Sequence, residues 1–302
     1  MAITLTNEFR ETVASRLIEQ RMNFDGSNAQ FSRMHGMSAA IFTRLFNGER
    51  DNLLSPTKWL IIGQNLGITL DEREWATART DVFDIIEEDI IFCKTFSKAR
   101  ICVDDCGIGK TYTARYLSRT LKNCFYVDAS QGKTKMQFIK LLAKTVGADA
   151  LGRFSDVKTR IKFHLQSLTR PILIIDEAGD LEYNAFLELK ELWNATEGYC
   201  GWYMIGADGL RAKIERGISG KKVGYAEIFS RYSEKFTTIV PKDRVQRNQF
   251  YRKLITDTLN ANNCPPDKIR KIVNQCLAND NVFIGGLRRA ESLLILNSEN
   301  ED

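Results

Sequence analysis

The sequence predicts an α/β protein: a parallel sheet with crossover helices, an all-helical helix-turn-helix unit in front of it and a helical lid behind. Three observations predict this. Strand-like apolar runs alternate with amphipathic stretches between residues 100 and 240, two of those runs end in chemically distinctive loops, and the segments on either side show helical periodicity without strand-like alternation.

A chain of 302 residues has room for two or three structural units, and 43% hydrophobic with 27% charged residues and only five prolines is the composition of an ordered globular protein. The formal charge of +5 permits a polyanionic partner without demanding one, so local clustering of Lys and Arg has to decide. Seven cysteines lie scattered with no C-x-x-C pair, which suits a reducing compartment. With His35 and His164 as the only histidines, spacing supports neither a zinc site nor a Cys-His or Ser-His nucleophile. The amino-terminal stretch lacks an apolar signal core and no long uncharged run follows, so the expected location is cytoplasmic, with no membrane partner.

Residues 1–75 read as short helices with a helix-turn-helix-like, DNA-binding-like core. In NAQFSRMHGMSAAIFTRLFNGER, Gly36 supplies a left-handed turn and Ser38 caps the second helix. Phe31, Met37, Ile41 and Leu45 fall where a shared core needs them, leaving Arg33, Ala39, Thr43 and Arg44 outward. Arg33, Thr43 and Arg44 are therefore the candidates for DNA contact from this unit, although a bundle that docks on a protein has the same internal spacing. Residues 76–97 are acidic and then apolar without Pro or Gly, and are expected to form a helical connector with a solvated charged face. Expected strands at 100–104, 124–128, 171–175, 201–206 and 236–240 define a core over 98–241, and expected helices at 244–260, 266–277 and 283–296 define a lid over 242–302.

The strongest chemical signal is ICVDDCGIGKT at residues 101–111, a strand running through a glycine loop into a helix. Gly107 and Gly109 let backbone N–H groups turn toward phosphate oxygens, Lys110 sets an ammonium against the β and γ phosphates, and the Thr111 hydroxyl is a ligand for Mg²⁺. Cys106, Ile108 and Tyr112 complete the expected ATP-binding loop. Asp104 stands where the first glycine of this motif belongs, and with Asp105 it puts negative charge beside a triphosphate unless both side chains point away. PILIIDEAGDL at 171–181 is an apolar strand ending in adjacent carboxylates, with Asp176 expected to hold Mg²⁺ and Glu177 to polarise the attacking water. Asp208 after the fourth strand, Arg231 in EIFSRYSEKF and Arg288 in GGLRRAESLL are candidates for sensing or stabilising charge on the γ-phosphate.

Taken together, these motifs resemble those of the AAA+ transposition ATPases typified by the B protein of phage Mu and, more distantly, the TnsC and IstB proteins. The likeness spans most of the chain: the helical front, GIGKT with Arg115 one helical turn on, IIDEAGDL, a strand ending in Ile-Gly, FSRY and GGLRR. The resemblance implies that Arg231 is an arginine finger acting on a neighbouring subunit and Arg288 a lid sensor. Ala207 stands where such proteins often carry a polar sensor, so either Asp208 substitutes for it or sensing is weak. It further implies an ATPase with ATP and Mg²⁺ as cofactors, binding of duplex DNA with little sequence preference, assembly into an ATP-dependent homo-oligomer or helical filament, and delivery of target DNA to a cognate transposase. On that reading the basic loop SQGKTKM supplies Lys133 and Lys135 to DNA, with Arg153 and Lys158 next. Two other readings stay open at this point, a nucleotide-gated transcriptional regulator and a helicase-loader-like ATPase.

Overall fold

The computed structural model describes residues 5–68, 70, 75–278 and 286–299, the last three by their backbone alone. Four helices come first: α1 (Asn7–Met22), α2 (Asn28–Met34), α3 (Ala39–Phe46) and α4 (Pro56–Leu66). Each begins at a Ser or Thr whose hydroxyl accepts an otherwise orphaned backbone N–H, as Ser38 does from Ile41 at 3.2 Å. Gly36 takes φ 62° in the turn between α2 and α3, a conformation an L side chain resists. Phe31, Met37, Phe42 and Leu45 are buried there, while Ile41, expected in the core, is only half-buried because Phe42 takes its place on the inner face of α3.

This front unit is welded to the rest of the chain. Phe24 meets Phe125 edge-on at 6.1 Å, Asn123 exchanges hydrogen bonds with Asp25 (3.0 and 2.9 Å), and Gln30 bonds the His164 ring at 2.9 Å.

The segment expected as a connector holds α5 (Asp81–Phe96), which packs against the sheet through Val82, Phe83, Ile86, Ile90 and Cys93. Its charges are not all solvated. Asp89 is buried, paired with Arg100, and accepts from the hydroxyls of Tyr203 at 3.3 Å and Thr237 at 2.9 Å, so one carboxylate braces three strands.

The remaining elements alternate: β1 (Ala99–Val103), α6 (Lys110–Thr120), β2 (Cys124–Asp128), α7 (Lys135–Val146), α8 (Phe154–Ser167), β3 (Ile172–Asp176), α9 (Tyr183–Ala195), β4 (Gly201–Gly206), α10 (Asp208–Ser219), α11 (Tyr225–Arg231) and β5 (Phe236–Thr237). The strands form one sheet in the order β2-β3-β4-β1-β5, with every pairing parallel. Both faces are covered, which is why β3 and β4 read as unbroken apolar runs. One face, with Ile101, Phe125, Leu173 and Trp202, shares its core with α7 to α11 and the front helices. The opposite face, with Cys102, Ile174 and Tyr203, packs on α5, α6 and the first of three closing helices, α12 (Arg244–Ala261). Helices α13 (Pro266–Leu277) and α14 (Leu287–Glu299) join α12 around a small core of their own. The expected start of the last helix at residue 283 lies outside the described residues. Among the described residues no helix is long and apolar enough to cross a membrane.

β5 ends three residues earlier than the sequence suggests. Ile239 and Val240, expected as strand, instead give their N–H groups to the Asp104 carboxylate.

Candidate nucleotide site

The parallel sheet puts the loops after β1, β3 and β4 at one edge, the place where α/β proteins bind ligands. Gly109 caps α6 with φ 101° and, among the described residues, no side chain makes a capping hydrogen bond to the helix N-terminus, so its first N–H groups are not taken by a side-chain cap and can meet an anion. The Lys110 side chain is buried and donates to the carbonyls of Asp104 (2.8 Å) and Asp105 (2.6 Å). Carbonyls orient the ammonium without neutralising it, and a buried cation without a carboxylate partner is a site prepared for an external anion.

The two aspartates in this loop do point away. Asp104 has no left-handed φ, so its place in the glycine position strains nothing. Its carboxylate accepts from Asp105 N at 2.7 Å, from Val240 N at 2.9 Å and from Ile239 N, tying the loop to the end of β5. Asp105 accepts from the Tyr251 hydroxyl at 2.7 Å and pairs with Arg247 at 2.7 Å, both on α12. Each negative charge is spent on the closing helices or the strand leading to them, leaving the loop's inner face to its N–H groups and Lys110.

Asp176 is buried at the end of β3 and accepts from the Tyr126 hydroxyl at 2.8 Å and from Glu177 N at 3.0 Å. Burial and the Asp176 charge push the Tyr126 phenol above its ordinary range, so it stays a donor. Arg115 lies 5.2 Å from the Tyr126 ring, completing a chain from α6 to Asp176 that the motifs alone did not reveal. Glu177 is held at φ 50°, ψ 37°, a left-handed conformation that is costly for a non-glycine and is often found at functional sites. Its carboxyl is raised above the usual value by burial and then by the neighbouring charges of Asp176 and Asp180.

A cleft of about 1300 Å³ joins these parts, lined by residues 106–113, Asp176, Glu177, Gly206, Ala207, Arg288 and the segment 75–78. It is roomy beside the several hundred Å³ usual for small-molecule sites. The closing helices reach it directly. Leu287 N donates to Gly107 O at 2.8 Å, and a Cβ on Gly286 would stand 2.6 Å from that carbonyl, so only glycine permits the approach. Opposite, Tyr112 bonds the Thr77 hydroxyl at 2.6 Å, and Asn262 holds the backbone of Ala76. Trp75 and Thr77 escaped the sequence reading because they flank the expected boundary between the front unit and the connector, where no chemistry was assigned.

Residues 101–214 match the family model described as an AAA domain. That segment is an AAA ATPase domain. The chain is 22% identical over 237 residues to the Mu-like prophage FluMu DNA transposition protein B of Haemophilus influenzae, covering 77% of this chain and 79% of that protein, which agrees with the resemblance drawn from the motifs. A crystal structure titled as a DNA replication initiation factor aligns with a TM-score of 0.46 at 12% identity over 72% of this chain, and the chain spans 59% of that protein's length.

The expected site residues separate into those the cleft gathers and those it does not. Cys106, Gly107, Ile108, Gly109, Lys110, Thr111, Tyr112, Asp176, Glu177 and Arg288 all line it. The donor set suits a nucleoside triphosphate with a divalent cation: open N–H groups and an ammonium for the phosphates, the Thr111 hydroxyl and the Asp176 carboxylate for the metal. Asp208 is corrected. It opens α10 with its side chain 84% exposed, 3.9 Å from Arg211, outside the cleft, where Gly206 and Ala207 stand instead. Arg231 does not line the cleft either; it is held over the Trp193 ring at 5.4 Å, with Nε on Asn194 at 2.6 Å and a second nitrogen on the Glu227 carbonyl.

Most of the basic residues expected on DNA are already partnered. Lys158 is corrected outright: its side chain is 12% exposed between Glu188 and Glu191, whose charges outweigh the effect of burial and hold its ammonium above the ordinary value. Lys135 pairs with the same Glu188 at 2.8 Å, and Lys133 with Asp180 at 2.7 Å. Arg33 gives its Nε to Gly147 O at 3.2 Å, fixing α2 to the end of α7 rather than facing outward freely. Arg44 is exposed but pairs with Glu49 at 2.8 Å, and the Thr43 hydroxyl bonds back to Ala39 O. Arg153 is exposed, with no side-chain partner among the described residues.

Proposed function

We propose that this AAA+ ATPase binds duplex DNA in its ATP-loaded state without sequence preference, assembles on it as a homo-oligomer, and delivers it to a transposase. The observation that carries the reading is the likeness to a protein named for DNA transposition over 77% of the chain, a span longer than the ATPase core alone. In this reading Lys110 and the N–H groups of the loop bind the phosphates, Thr111 and Asp176 hold Mg²⁺, and Glu177 accepts the proton of the attacking water. When bound, ATP with Mg²⁺ supplies a γ-phosphoryl group whose transfer to water changes the charge the closing helices meet. Arg288 faces that charge from α14, and Arg231 serves a neighbouring subunit.

The position of Arg231 outside its own cleft supports a role in trans, which makes assembly a condition of fast hydrolysis. A phosphate-only grip on DNA predicts steep salt dependence. The deciding experiment measures binding of arbitrary duplex DNA with ATP, ADP or no nucleotide across a salt series, with electron microscopy of the same samples. ATP-dependent, continuous coverage supports the reading; nucleotide-independent protection of a single sequence would overturn it. That outcome would favour a regulator reading DNA through α3, whose Thr43 and Arg44 are exposed.

A further inference from the structure

The turn that carries Glu177 is pinned from two sides, and the pins differ in strength. Residues Ala178–Asp180 form a short 3-10 turn with Glu177 at its head. From α10, the half-buried Lys213 ammonium donates to Gly179 O at 2.9 Å and to Leu181 O, and a Cβ on Gly179 would lie 3.3 Å from Leu210 N, so this side is tightly packed. From the basic loop after β2, Lys133 makes two contacts: its ammonium pairs with Asp180 at 2.7 Å, and its carbonyl accepts from Glu182 N at 2.9 Å.

The side chains of Lys133 and Asp180 are 53% and 40% exposed. Such a pair is weak, screened by salt and open to competition. The neighbouring pairs of Lys135 and Lys158 close on Glu188, which is 6% exposed, so a competing phosphate would take a partner from a buried carboxylate, which costs more than opening a pair between two exposed side chains. Among these three lysines, therefore, Lys133 alone combines an exchangeable partner with a direct ion-paired and hydrogen-bonded contact to the Glu177 turn and the residue that follows it.

We propose that the Lys133–Asp180 pair is a clamp on the Glu177 turn which a polyanion releases by competing for Lys133, so that duplex occupancy raises the rate of ATP hydrolysis. This rests on the reading that the chain binds DNA and that the loop at 130–136 meets its phosphates. Neither residue touches reacting atoms; both are positioning residues acting through Glu177. At rest the pair holds the turn against the loop, and release leaves it held by Lys213 and by the backbone bond from Glu182 N to Lys133 O, with more freedom to bring Glu177 to the attacking water.

The test compares wild type with Asp180→Asn, Lys133→Met and the double variant, measuring hydrolysis with and without duplex DNA. Without DNA, both single variants are expected to hydrolyse several-fold faster than wild type, through kcat with KM unchanged. The double variant should match either single one, because the two act as one unit. With DNA, the additional stimulation should fall toward none in all three. Asp180→Asn should bind duplex at least as tightly as wild type, since it frees Lys133. Asp180→Glu, which keeps the charge, should restore low basal hydrolysis and stimulation, separating the clamp from a mere loss of structure. Basal rates equal to wild type in both single variants would overturn the clamp, as would additive effects in the double variant. Failure of the wild type to bind duplex in any nucleotide state would instead sink the DNA reading, while the basal rates would still judge the clamp.

Discussion

The phosphate loop after β1 and the basic loop after β2 leave the same edge of the sheet, and they treat their lysines in opposite ways. Lys110 is enclosed by backbone carbonyls, while the aspartates beside it turn to Arg247, Tyr251 and the backbone of Val240. Lys133 and Lys135 of the second loop, like Lys158 of α8 beside them, each spend their charge on a carboxylate of this chain. A cation kept from its own protein's anions is poised for a ligand, whereas a cation already paired belongs to the framework unless its pair is exposed enough to exchange.

The largest test of this contrast is at the cleft. Glu177→Gln should lower kcat by about 100- to 10,000-fold with nucleotide binding retained, the range for loss of a general base. Lys110→Ala should lower hydrolysis by about 100- to 1,000-fold, as for loss of one preorganised charge-stabilising group, and should remove the effect of ATP on DNA binding. Retained nucleotide-dependent DNA binding in Lys110→Ala would break the contrast at its stronger end.

Stability provides the next test. Glu188→Ala leaves the buried Lys158 with Glu191 alone and should cost roughly 1–3 kcal/mol in denaturant unfolding, whereas Lys133→Ala should leave the midpoint where it is. Equal effects would show that the two lysines are not distinguished by burial.

The histidines extend the comparison to cations the fold refuses to form. Burial lowers the His35 imidazole to about 4, and His164 is lowered in the same direction by burial. A folded state that keeps these rings neutral loses stability as the unfolded chain protonates first. Stability is thus complete above pH 6.5, declines as pH falls from 6.5 to about 4, and levels off below. The His35 share is roughly 3 kcal/mol, and His35→Gln should flatten that part of the stability profile.

The smallest expected effect is at Arg153. If it contacts phosphate, Arg153→Ala should weaken binding to all duplexes alike and reduce the salt slope by about one, with unchanged stability.

The strands, the closing helices and the loop motifs were legible because each is local: a buried parallel strand is a run of Ile, Val and Leu, and a phosphate loop is a fixed spacing of glycine and lysine. Ala99–Val103, Ile172–Asp176 and Gly201–Gly206 fall within a residue of where their patterns put them. The shorter β5 was not legible, because the carboxylate that takes its N–H groups comes from Asp104, 135 residues earlier. The same holds for the role of α5, whose amphipathic pattern is that of any helix until the sheet it covers is known. Exposure of Asp208 and burial of Lys158 were equally out of reach, since single charged residues carry no sign of where their partners fold.

By itself the sequence determined the alternation of elements, the nucleotide loop and the carboxylates of β3, all set by short-range spacing and steric rules. The tertiary structure alone decided which charges remain for a ligand. It turned Asp104 and Asp105 toward the closing helices, locked Lys158 between two glutamates and left the Lys133–Asp180 pair at the surface. Charge pairing depends on distance in space and on dielectric surroundings, and neither is written in the order of residues along the chain.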